Sequence, residues 1–209
     1  MLQRDVAILR AAIEEHGVLL EHDVALPSVT SLLAGEAVRG SWWGHPIGER
    51  VYHALLELDD AEVLTTRLVA QKVTLVHRAL FPALLAIATE DAAWQTDGLS
   101  APARALLDRV RADGALRTDH AAPIPGTTRK PGALALELEK RLLALGRSEH
   151  TEKGAHAKVL ETWARWAARG GLRASDDPAA GRSTFESRVA RWSRDPRGLL
   201  PWLPGRRRA

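Results

Sequence analysis

Cysteine is absent from the 209 residues, which excludes a disulfide scaffold, thiolate zinc and iron–sulfur sites and a cysteine nucleophile. No apolar run approaches the ~20 residues of a membrane-spanning helix. The N-terminal MLQRDVAILR also has no signal-peptide apolar core, so a cytoplasmic, nucleoid-associated location without a membrane partner is expected. HExxH and GxSxG patterns are missing, and Gly126-Thr127-Thr128-Arg129-Lys130 lacks the upstream glycine of a phosphate-cradling loop. No catalytic residue, metal or cofactor is expected from these patterns. Lysine is scarce, at five of 29 basic residues, and two phenylalanines and one tyrosine stand beside seven tryptophans.

What is present describes a globular chain, 45% hydrophobic and 26% charged. The net charge of +3 hides an asymmetry. From Arg165 onward eleven arginines face four acids (+7), leaving 18 basic against 22 acidic residues (−4) in the first 164. Basic charge gathered at one end, closing on Arg206-Arg207-Arg208, points to an anionic partner; a solubilising tail is the competing reading.

Hydrophobic spacing predicts a helix over 3–16 stopped by Gly17, a short segment over 28–33 closed by Gly35, and a structured loop at Arg39–Pro46. Ile47, Val51, Ala54, Leu55 and Leu58 then mark a helix. The period changes at Glu62, where 62–69 and 72–77 read as β-branched strands joined by Ala70-Gln71, without the usual glycine or asparagine. A helix over 79–89 follows. The second half repeats the order some 80 to 95 positions on: a helix capped by Ser100 and ended by Gly114, a Pro/Gly/Thr loop over 121–131, and a helix on Leu134, Leu138, Leu142 and Leu145. Gly146–Ala157 reads as a second hairpin, and Val159, Leu160, Trp163 and Trp166 as a closing helix. The expected fold is mainly α with two β-hairpins (α+β): tandem winged-helix units at 1–92 and 99–170, a linker at 93–98, and an Arg-rich C-terminal segment at 171–209.

The Trp-rich turn Gly40-Ser41-Trp42-Trp43-Gly44, a helix, and then ALLELDDAEVLTTRLVAQKVTLVHRAL resemble the winged-helix repeat of the bacterial DNA glycosylases of the AlkZ and YcaQ group. The resemblance covers residues 40–82 and, loosely, 130–166. It implies tandem winged helices clamped around DNA and, for a whole enzyme, excision of alkylated or crosslinked purines. That family's Gln-x-Asp or Gln-x-Gln motif is matched in bare form by Gln3-Arg4-Asp5, at the chain start, and Gln95-Thr96-Asp97, in the linker; catalysis is carried onto neither.

The residues expected to meet DNA are Arg39, Trp42, Trp43 and His45 of the loop, Arg50 of the helix after it, and Arg67 and Lys72 of the first wing. In the second half they are Arg129, Lys130, Arg147, Lys153 and His156, with Arg206, Arg207 and Arg208 at the end. Glu49 and His53, and then Glu137, Glu139, Lys140 and Arg141, are expected to face outward from the two third helices. Trp42-Trp43 suits stacking on bases, against the alternative that both indoles pin the loop to the core. Trp163 and Trp166 read as core or inter-domain packing; Trp192 and Trp202, with Leu199, Leu200 and Leu203, read as docking the tail. His77 reads as a strand histidine. His150 and His156 with Glu149 and Glu152 read as a solvated wing rather than a zinc site. The function expected is binding of double-stranded or damaged DNA in repair or transcriptional control. A small base-excising glycosylase and a protein-interaction scaffold, with a protein partner or second copy, are the alternatives.

Overall fold

The computed structural model describes residues 1–150 and 156–203, the side chains of His150 and His156 excepted. It is a mixed α+β fold of helices and two small three-stranded antiparallel sheets. The chain divides into one compact unit of residues 1–81 with 182–209 and a second of 82–181.

In the first unit, helix α1 (Leu2–His16) buries Val6, Leu9 and Ile13 on one stripe. Gly17 ends it in the left-handed conformation (φ 76°), its N–H on the Ile13 carbonyl at 2.8 Å. A residue with a Cβ is strained there, and the turn throws the chain directly into β1 (Val18–Leu20), buried throughout. Helix α2 (Val29–Ala34) starts where the Ser28 hydroxyl accepts the Ser31 N–H. A 3₁₀ turn, Trp42–Gly44, precedes α3 (Gly48–Leu56), and the hairpin β2 (Val63–Arg67) and β3 (Val73–His77) follows. The strands lie in the order β1-β3-β2, with Leu19 opposite Leu75 and Thr65 opposite Leu75 on the other side. Leu9, Ile13, Leu19, Val29, Val51 and Leu75 form the core that the helices and sheet share.

The connection is longer than read from the sequence: β2 ends at Arg67 and β3 opens at Val73, so residues 68–72 join them around a tight turn at Ala70-Gln71. Ala70 (φ 51°) and Gln71 (φ 59°) are both left-handed, and the Lys72 N–H reaches the Val69 carbonyl at 2.9 Å, the geometry of a type I′ turn. A Leu199 carbonyl also accepts the Ala70 N–H at 2.7 Å, so the turn without glycine is braced from outside.

Helix α4 (Phe81–Ala88) and the single-turn α5 (Ala93–Thr96) lead to α6 (Ala101–Asp113), capped by Ser100 and closed by left-handed Gly114. Then come β4 (Ala115–Arg117), α7 (Pro131–Glu139), the hairpin β5 (Leu145–His150) and β6 (His156–Glu161), and α8 (Trp163–Gly170). The strand order β4-β6-β5 repeats that of the first unit. Residues 118–130 hold no helix, so this half lacks an α2 counterpart.

Four further expectations are corrected. Each hairpin is joined by a third strand, β1 or β4, that was not read from the sequence. Helix α7 ends at Glu139; Leu142 is left-handed (φ 53°) and Leu145 opens β5. Val159 and Leu160 belong to β6, and α8 begins only where the Thr162 hydroxyl caps it. The C-terminal segment contains a real helix, α9 (Pro178–Ala190), whose Phe185 and Val189 are fully buried. Residues 182–209 group with the first unit.

Candidate nucleic-acid interface

Four rings follow one another from the core to the surface of the first unit. The Trp42 and Trp43 indoles stack with centroids 4.1 Å apart and planes 22° from parallel; Trp43 meets Tyr52 at 5.8 Å, and Tyr52 meets His53 at 5.5 Å. The loop holding the first two is tightly tied. The His45 N–H reaches the Trp42 carbonyl (3.1 Å), the Gly48 N–H reaches the His45 carbonyl (2.8 Å), and His45 Nδ1 accepts the Ile47 N–H. A Cβ on Gly48 would sit 3.0 and 3.1 Å from the Trp42 and Trp43 carbonyl oxygens, so glycine lets the turn close onto the start of α3.

The two indoles play different parts. Trp42 is 5% exposed, and its Nε1 donates to Glu21 Oε1 at 3.3 Å. Burial pushes the Glu21 carboxyl above its usual value, against the pull of that hydrogen bond. Trp43 is 64% exposed. The core-pinning reading thus fits Trp42 and the surface reading fits Trp43. Tyr52 and Glu21 were not singled out from the sequence. The usable signal for Tyr52 was that the chain's only tyrosine adjoins His53 on a helix already read as facing outward.

Of the seven nominated arginines and lysines among the described residues, five are engaged within their own unit. Arg50 donates through Nε and Nη2 to both oxygens of buried Asp5 (2.9 and 2.7 Å), holding that carboxyl below the ordinary range. Lys72 Nζ lies 2.6 Å from Asp23 Oδ2. Burial alone would raise the Asp23 pKa; Lys72 and the amides of Ala25 and Leu26 outweigh it and the net direction is down. Arg129 pairs with Glu137 at 2.8 Å and Arg147 with Glu149 at 3.0 Å. Arg67, half-buried, reaches the Gln71 carbonyl at 3.5 Å. Arg39 and Lys130 are exposed, with no ion pair or side-chain hydrogen bond among the described residues. Lys153, Glu152, Arg206, Arg207, Arg208 and the side chain of His156 lie outside the described residues.

The outward face expected of α7 is corrected. Glu139 is buried and held by Lys158, beneath Gly146 of β5. Glu137 accepts from the Ser100 amide and hydroxyl, and Arg141 donates to the carbonyls of Trp94, Gln95 and Asp97. Each bare Gln-x-Asp triplet has one member engaged inside the fold, while Gln3 and Asp97 are exposed. Asp5 is bound by Arg50, while the fully buried Gln95 amide spends its oxygen on the Ala92 N–H and its nitrogen on the Ala88 carbonyl. Among the described residues no helix is long and apolar enough to cross a membrane. Compared with known proteins, the chain matches no family model, no curated protein and no solved structure.

Proposed function

We propose that the chain is a DNA-binding protein of two winged-helix units, acting on duplex or damaged DNA in repair or transcriptional control. The observation that carries this reading is a repeated connectivity. Residues 2–77 run helix, strand, short helix, helix, strand, strand, with strand order β1-β3-β2. Residues 101–161 repeat it without the short helix. In such a unit α3 or α7 takes the groove-facing position and the hairpin lies along a phosphate strand. The resemblance of residues 40–82 to the glycosylase repeat points the same way.

Charge sets the terms of binding. Arg50, Lys72, Arg129 and Arg147 must each release a carboxylate before meeting a phosphate, so they add little net affinity. Arg39 and Lys130, exposed and unpaired among the described residues, are the proposed contributors, together with Lys153 and Arg206–Arg208 on the strength of the sequence alone. Six phosphates neutralised give a log–log salt slope of about −5. Duplex affinity measured by anisotropy between 50 and 300 mM salt tests this, and a flat slope refutes it. A second reading, a protein-binding module, is favoured by one observation: the exposed side of α3 carries Leu56, 63% exposed, beside Glu49 and His53. Self-association that persists in high salt, with no DNA affinity, would support it instead.

A further inference from the structure

We infer that Trp43 is a stacking platform for an unpaired nucleobase, so that the nucleic acid recognised at this face carries a base outside its helix: a bulge, a flipped nucleotide or a single strand. The inference rests on the nucleic-acid reading above and names the substrate class of that surface.

The burial asymmetry is the first argument. Two neighbouring indoles are stacked, yet one is 5% and the other 64% exposed. Trp43 rests on Trp42 and has Tyr52 beside it at 5.8 Å, and the 64% exposure leaves much of its ring area to solvent. Rigidity is the second. Trp42 is fixed by burial and by Glu21, and the loop by three hydrogen bonds around His45. A flat ring held in place before the ligand arrives loses little freedom on binding, which is what makes an aromatic surface effective for capture.

The third argument is electrostatic. The only arginine on α3 is taken by Asp5, while Glu49 on that helix and Glu57 at its C-cap are exposed and carry the wrong sign for phosphates. A duplex offers a protein its phosphates and the edges of its bases; the ring faces are stacked on one another. An open indole beside a helix with no free cation is poorly suited to a paired duplex. It suits the π-face of a base that has left the stack, and base–aromatic stacking tolerates any base identity. Tyr52 and His53 border the platform with polar groups able to meet a base edge. Arg39, three residues before Trp42 and so within about 11 Å along the chain, is exposed to take the phosphate.

The test compares three probes of equal length: a fully paired duplex, the same duplex with one bulged 2-aminopurine, and a single strand. Full-length wild type and Trp43→Ala are measured, with Trp43→Phe as the conservative control. The expected result is that Trp43→Ala weakens the bulged and single-stranded probes by about five- to a hundredfold, the range of one base stacked on an aromatic ring. The paired duplex is unchanged, Trp43→Phe retains most of the affinity, and 2-aminopurine is quenched by wild type alone. Equal loss on all probes, or no loss on any, overturns the stacking role while leaving the DNA reading standing. Absence of binding to every probe overturns both. Self-association abolished by Trp43→Ala would assign the ring to a protein contact and overturn the inference.

Discussion

Replacing Phe185 by alanine tests whether the C-terminal segment is part of the fold or an attached arm. Sequence composition favours an arm, because arginines there are interspersed with Pro, Gly, Ser and Asp. In the structure Phe185 is fully buried on α9, and Trp202 meets its ring edge-on at 6.3 Å and 75°. A buried phenylalanine ring exchanged for a methyl group costs about 3–5 kcal/mol, through lost transfer energy and the cavity left behind. Within that total the edge-to-face contact accounts for about 0.5–1.5 kcal/mol. For a chain of this length each kcal/mol lowers the Tm by roughly 2–4 °C, so a drop of about 6–20 °C is expected. Urea unfolding followed by circular dichroism gives the free energy directly, and a scan gives the Tm. A loss below about 1 kcal/mol would mean that α9 contributes no core, and the grouping of residues 182–209 with the first unit would have no energetic meaning.

Three further outcomes are expected. Arg50→Ala leaves the Asp5 carboxylate buried without its partner and should cost about 2–3 kcal/mol, less than a fully buried pair because Arg50 is 38% exposed. The same pair gives a pH dependence: Arg50 holds the Asp5 pKa down in the folded state, so its stabilisation is present above the unfolded value near 3.9 and drains away as pH falls through the folded one. Urea midpoints between pH 5 and pH 2 should therefore fall more steeply for wild type than for Asp5→Asn, and parallel curves would contradict the assignment. Gly146→Ala places a Cβ against the buried Glu139 carboxylate; a loss of about 1–3 kcal/mol in urea is expected, and a neutral result would show that Glu139 moves freely. Trp202→Ala removes the hydrogen bond to Glu186 and should release the neighbouring Leu199 carbonyl from the Ala70 N–H. Amide exchange at Ala70 should then speed up by about tenfold or more, and unchanged protection would show that the brace does not depend on the indole.

Local chemistry made much of the fold legible. Gly17, Ser100 and Gly114 mark helix ends because a left-handed stop or a hydroxyl cap acts within one turn, and the β-branched run before and after Ala70-Gln71 marks a hairpin. The strands β1 and β4 were not legible because three residues are too few to show an alternation, and β1 is buried on both faces. Their trace is instead positional: each begins on the residue after a helix-stopping glycine, and Gly17 and Gly114 stand 97 positions apart. Helix α7 read too long because Leu142 and Leu145 continue its spacing. Both are buried in the structure, Leu145 as the opening residue of β5, so periodicity reported burial and could not report the change of backbone. Helix α9 was missed for the opposite reason: Phe185 and Val189 are one turn apart but isolated among polar residues.

The candidate site was legible in composition and illegible in partnership. A sequence lists Arg50 and Lys72 as cations, but their carboxylates, Asp5 and Asp23, lie 45 and 49 positions away, beyond any helical spacing rule. Counting basic residues therefore overstates the charge ready for phosphate, and does so most where the fold is tightest. The tryptophan pair shows the converse. Adjacent identical residues cannot be told apart by type, yet a turn that buries one and stacks the other upon it divides them into a foundation and a surface. The division follows from geometry alone, since both indoles cannot enter one core from a three-residue 3₁₀ turn. Exposure of the second is thus the consequence of burying the first, and the backing that Trp42 supplies makes Trp43 a fixed ring rather than a loose hydrophobe.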